Sequence, residues 1–90
     1  MWRKATKDDM VRGAVLRWEN PENGFSDATI IATPGDSVRL ARPMAHASAY
    51  FDDRAASVYC EVYEAPTAAL IDRGVVVLCD RDGNVCTYAR

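Results

Sequence analysis

Residues 14–41 read AVLRWENPENGFSDATIIATPGDSVRLA, and this stretch decides the fold. Over Ala14–Trp18, Ala14, Leu16 and Trp18 alternate with Val15 and Arg17, the period-2 pattern of a strand that turns one face to a core. Glu19 to Gly24 is turn chemistry. Pro21 fixes its own φ, and Asn23-Gly24 tolerates the positive φ of a tight hairpin. Phe25 to Thr33 follows as a second strand, whose β-branched Thr29, Ile30 and Ile31 suit a position covered on both faces. Pro34-Gly35-Asp36 forms the next turn, with Pro suited to the first central position and Gly to the second. Ser37 to Ala41 then returns, with Val38 and Leu40 on one face and Arg39 on the other.

Working outward, Val58, Cys60 and Val62 alternate with Tyr59, Glu61 and Tyr63, which predicts a fourth strand. Pro66 and Thr67 introduce one or two helical turns over Ala68–Arg73, which Gly74 can end. Val75 to Cys79 reads as a buried strand, and Asp82-Gly83 turns the chain into a last strand, Val85 to Ala89. A loop of two or four residues there would pair positions whose numbers sum to 165, with Cys79 opposite Cys86. Such a pair is either two small buried hydrophobes or a bridgeable couple. Upstream, Thr6 can cap a short helical turn over Lys7 to Val11, with Asp8 and Asp9 where the helix dipole favours acids and Gly13 as its stop. The expectation is a single mainly β domain over residues 1–90: a small SH3-like or OB-like antiparallel barrel of five to six strands with two short helical turns.

Composition narrows the function classes. About half of the residues are hydrophobic (49%) and 27% are charged, the balance of a globular chain and not of a disordered tail. A net charge of -2 disfavours nucleic-acid binding by bulk electrostatics, although a local basic patch would still permit it. The longest apolar run, Val75 to Cys79, is far short of the roughly 20 residues of a membrane span, and the N-terminus shows no apolar leader. Three cysteines without a C-x-x-C spacing point to reduced thiols and a cytoplasmic setting. The excess of arginine over lysine, with many alanines, has the cast of a GC-rich prokaryotic or phage coding sequence.

Catalytic chemistry is scarce. The one histidine, His46, has no nucleophile placed beside it by any elbow motif, so no catalytic residue is assigned. A small enzyme using His46 is the third-ranked reading. Cysteine and histidine are too scattered for a zinc site, and Asp80, Asp82 and Asn84 lack the later ligands of a calcium loop. No metal and no cofactor is expected, since phosphate-cradling glycine motifs are also missing.

The chemically mixed stretch is Arg42 to Ser57, RPMAHASAYFDDRAAS, too long for a plain connection. If it folds back over the sheet, Arg39, Arg42, His46 and Arg54 could converge as donors for an anion, with Tyr50, Phe51, Tyr59 and Tyr63 as a stacking wall or apolar anchor. The plain alternative is that the aromatics fill the core and the arginines lie solvated at its rim. The expected function is therefore a non-enzymatic binding protein that takes a partner protein or a small anionic, phosphate- or nucleotide-like ligand through residues 42–57. In a phage or mobile element such a chain would be an accessory inhibitor or a sponge. The alternative is a single-stranded nucleic-acid-binding barrel. Open sheet edges add the expectation of a homo-oligomer.

Overall fold

Residues 1–22, 24–42 and 61–87 are described by the computed structural model, and the fold is built from these. Six antiparallel strands form one sheet: β1 (Trp2–Lys4), β2 (Val15–Asn20), β3 (Gly24–Ala32), β4 (Ser37–Arg42), β5 (Glu61–Pro66) and β6 (Val76–Leu78). A short 3-10 helix, Lys7–Asp9, follows β1, and helix α1, Thr67–Arg73, links β5 to β6. The sheet order is β1-β6-β2-β3-β4-β5, so four sequential strands form a meander and the last returns beside the first of them. A small, bent antiparallel sheet with one helix is the expected mainly β architecture, of either the SH3-like or the OB-like kind.

The sheet is curled but not closed. A flat sheet with strands about 4.8 Å apart would be far thinner in one direction than in the others, yet the principal extents are 31, 30 and 27 Å. Among the described strands, β1 and β5 remain edges, so the expected complete barrel is replaced by an open, strongly bent sheet. Both edges carry features that discourage further pairing: β1 is three residues long with Lys4, and β5 bears Glu61, Glu64 and Pro66.

Alternation explains the core. Ala14, Leu16, Ala28, Ile30, Val38, Leu40 and Val77 cluster on the inner face with Ala5, Leu70 and Val75, and Trp18 and Tyr63 pack against them. Each fully buried Leu, Ile or Val contributes about 1.5–3 kcal/mol. The opposite face is covered too, because Val15, Thr29 and Ala41, which pair across three adjacent strands, are at most 1% exposed. This is the two-sided burial that the Thr29-Ile30-Ile31 run implies. The Oγ1 of Thr29 is buried there without a hydrogen-bond partner among the described residues.

The turns depart from expectation where side chains organise them. Gly24, at φ 87°, already pairs with Asn20, so Asn23-Gly24 is not the central pair of a two-residue turn. Asn20 Oδ1 accepts the Glu22 N–H at 2.9 Å, and a three-residue loop results. The last hairpin shows the same effect. Asp80 Oδ1 accepts the N–H groups of Asp82 and Asn84, both at 2.9 Å, and Asp80 N–H donates to Asn84 O at 2.9 Å. Those donors, Asn84 foremost, hold the Asp80 carboxyl below its ordinary range. Three residues then lie inside the loop, and the pairing shifts by one: Cys79 bridges to Val85, while Cys86 N–H donates to Leu78 O at 3.0 Å. Cys79 therefore does not face Cys86, and both thiols are free. In place of a regular last strand, single bridges tie Val85 to Cys79 and Thr87 to Ala14.

β1 has no strong signal in the sequence and is held by tertiary contacts. Trp2, Arg3 and Lys4 pair with Leu78, Val77 and Val76. Arg3 forks onto Asp9 with two bonds of 2.7 Å and also donates from Nε to Gly83 O at 2.7 Å. Asp9 accepts the Thr6 N–H at 2.7 Å and the Thr6 hydroxyl at 3.0 Å. The Asp9 carboxylate is thus more than a charge at a helix start; it joins the first strand to the 3-10 helix. The Arg3 fork, with help from Thr6, lowers the Asp9 pKa to about 2 from 3.8, against the opposing effect of burial. A depressed carboxyl stabilises the fold fully above its unfolded pKa and loses that contribution as pH falls toward about 2. With solvent screening on the Arg3 side, Asp9→Asn costs about 1 kcal/mol at neutral pH. Denaturant unfolding should show the gap between wild type and Asp9→Asn closing as pH falls from about 4 to 2.

Candidate functional site

The pairing of β2 with β6 is short, covering only Leu16↔Val77 and Arg17↔Val76. Beyond Val76 the chain turns away at Gly74, which adopts φ 79° and ends α1 by donating its N–H to Ile71 O. Past Arg17, β2 stays paired with β3 but has no described strand on its other side. A cleft of about 540 Å³ opens at this notch, lined by Arg17, Trp18, Glu19, Phe25, Arg73, Gly74 and Val76. Its size is that of a small-molecule site.

Two arginines in this cleft lie on aromatic rings. The register sets Arg17 opposite Asp27, and the guanidinium pairs with that carboxylate through Nε at 2.6 Å and Nη2 at 2.9 Å. The same guanidinium lies 4.0 Å from the Trp2 ring centroid and 5.4 Å from that of Phe25. A fork fixed at its edge by a carboxylate and on its plane by rings has little freedom left. Arg73, in the last turn of α1, lies 6.0 Å from the Trp18 ring centroid. It forms no ion pair with a carboxylate among the described residues. A cation at a helix C-terminus is favoured by the dipole alone, so its position there has a structural cause as well. Phe25 is 59% exposed.

The expected site residues divide. His46, Tyr50, Phe51 and Arg54 lie outside the described residues. Arg39 and Arg42 are described, on β4. The register Arg39↔Glu64 and Arg42↔Glu61 is unbroken, so residues three apart point to opposite faces and these two guanidiniums are not brought together. Each has an exposed acidic neighbour on β5, Arg39 with Glu64 at 3.5 Å and Arg42 with Glu61 at 3.2 Å. Arg42 shares a face with Leu40 and Tyr63. Burial raises the Tyr63 phenol pKa, against the opposing effect of the Arg42 and Arg73 charges.

Sequence reasoning missed Trp2, Arg17, Trp18, Phe25 and Arg73 as a group. A three-residue loop in the first hairpin pairs positions summing to 44, which alone would have set Arg17 against Asp27 and Glu19 against Phe25. Nothing local could have brought in Trp2 or Arg73, since they arrive through β6 and α1. Among the described residues, no three His, Cys, Asp or Glu side chains gather as a metal site. No described helix is long and apolar enough to cross a membrane. Comparison with protein-family profiles, curated proteins and solved structures gave no match.

Arg17→Lys keeps the charge but loses the fork and the flat stacking surface. It should lower stability by about 1 kcal/mol in denaturant unfolding and shift the tryptophan emission, because Trp2 loses its stacked partner.

Proposed function

We propose that this chain is a non-enzymatic binding module that recognises an anionic group, carried by a small ligand or by a partner protein. The observation that carries the reading is Arg73. It lines a concave site over Trp18 and forms no ion pair with a described carboxylate, although Glu19 borders the same cleft. A guanidinium in such a place offers a fork of donors to a carboxylate or phosphate. Arg17, already paired with Asp27, acts as the rigid part of the wall and not as the recognising charge. Arg and large aromatics are also the residues that most often dominate binding energy at interfaces.

Residues 42–57 stay part of this proposal as a second contributor, since Arg42 shares a sheet face with Leu40 and Tyr63. The reduced-thiol reading favours a cytoplasmic protein. An accessory inhibitor or a sponge is the role that a small module of this kind would fill.

A native mass spectrum of the protein purified from its own host tests the reading. Wild type should carry a ligand or partner that the Arg73→Ala chain has lost. Bare chains in both samples, each at the mass of its own sequence, would contradict it.

A further inference from the structure

The cleft holds more than a cation. Phe25 presents an exposed ring whose orientation is set from behind by Arg17, itself fixed by Asp27 and Trp2. Val76 adds an apolar floor. Glu19, directly opposite Phe25 in the hairpin register, places a carboxylate on the same rim. One guanidinium without an ion pair among the described residues, one exposed flat ring and one acceptor carboxylate thus border a single cleft of about 540 Å³.

These groups select a ligand by complementarity. The guanidinium favours an anion, and the exposed ring favours a flat body that can stack. The Glu19 carboxylate repels a second anionic end and accepts a hydrogen bond from a ring or amino N–H. A bare inorganic anion would leave the ring and the carboxylate unused. An extended acidic chain would meet Glu19 with like charge. We infer that the cleft takes a mononucleotide-class ligand, a nitrogen heterocycle stacked on Phe25 with its phosphate on Arg73 and its ring donors turned to Glu19. This rests on the anion-binding reading above and names the ligand class of the same site.

The chain supplies its own reporter. Its two tryptophans, Trp2 and Trp18, are the rings on which the cleft arginines lie, so tryptophan emission reads the site directly. The full chain is titrated with adenosine monophosphate, adenosine, inorganic phosphate and a deoxyadenosine oligomer. Adenosine monophosphate should quench saturably, with a Kd at least about tenfold below those of adenosine and of phosphate. Arg73→Ala should reduce its affinity to that of adenosine, and Phe25→Ala to that of phosphate. Both positions are exposed, and unchanged denaturant midpoints would verify that both variants fold.

Phosphate binding as tightly as the nucleotide, with the same loss in Arg73→Ala, would overturn the inference and leave the anion-binding reading standing. Tighter binding of the oligomer, falling steeply with salt, would overturn it in favour of a single-stranded nucleic-acid surface. No response to any probe would overturn it as well. A ligand or partner retained in the native spectrum would then keep the broader reading separate from this failure.

Discussion

The structure depends on a strand pairing only two residues long. Leu16↔Val77 and Arg17↔Val76 join β6, and through it β1, to the four-stranded meander. On the inner face this pairing buries Leu16 and Val77 completely. On the outer face it sets Arg17 beside Val76, within reach of Trp2 from the next strand but one. Because the pairing stops at Arg17, the notch beside Trp18 and Glu19 stays open. A longer β6 would fill the cleft with backbone, and a shorter one would free β1.

Core burial and site geometry are therefore two results of one register. The hydrophobic effect holds β2 against β6 because both contribute fully buried residues to one cluster. Strand alternation then presents the remaining side chains outward with no freedom to slip, since a shift of one residue would exchange Leu16 with Arg17. Arg17 tolerates its position through the fork to Asp27 and the rings on its plane, so the polar group on a half-buried face is satisfied on every side. α1 completes the site from the other direction. Its C-terminus at Gly74 brings Arg73 over Trp18, which the inner face holds against the core.

Much of this fold is legible in the sequence because its signals are local. Alternation in Ala14–Trp18 and Ser37–Ala41, and the stop at Gly74 after the predicted helix, need only neighbouring residues. What is not legible comes from distance or from side-chain turn chemistry. β1 is invisible because Trp2-Arg3-Lys4 is a strand only through Val76–Leu78 and the Arg3–Asp9 fork. The last hairpin is misregistered by one because the Asp80 carboxylate organises a three-residue loop where Asp82-Gly83 suggests two or four. Residues 42–57 stand out in the sequence for their chemical variety, and 43–57 lie outside the described residues. The cleft draws Arg17 and Phe25 from a hairpin and Arg73 from a helix end, and no local pattern links the three.

The most direct test of a cleft-centred site is a two-dimensional proton–nitrogen NMR titration of the full chain with adenosine monophosphate. The Nε–H signals of Trp18 and Arg73 and the backbone amides of Glu19 and Phe25 should move together on one saturation curve, while the Arg3 Nε–H that is bonded to Gly83 stays in place. Shifts confined to residues 42–57, with the Trp18 and Arg73 signals unmoved, would contradict the assignment of recognition to the cleft.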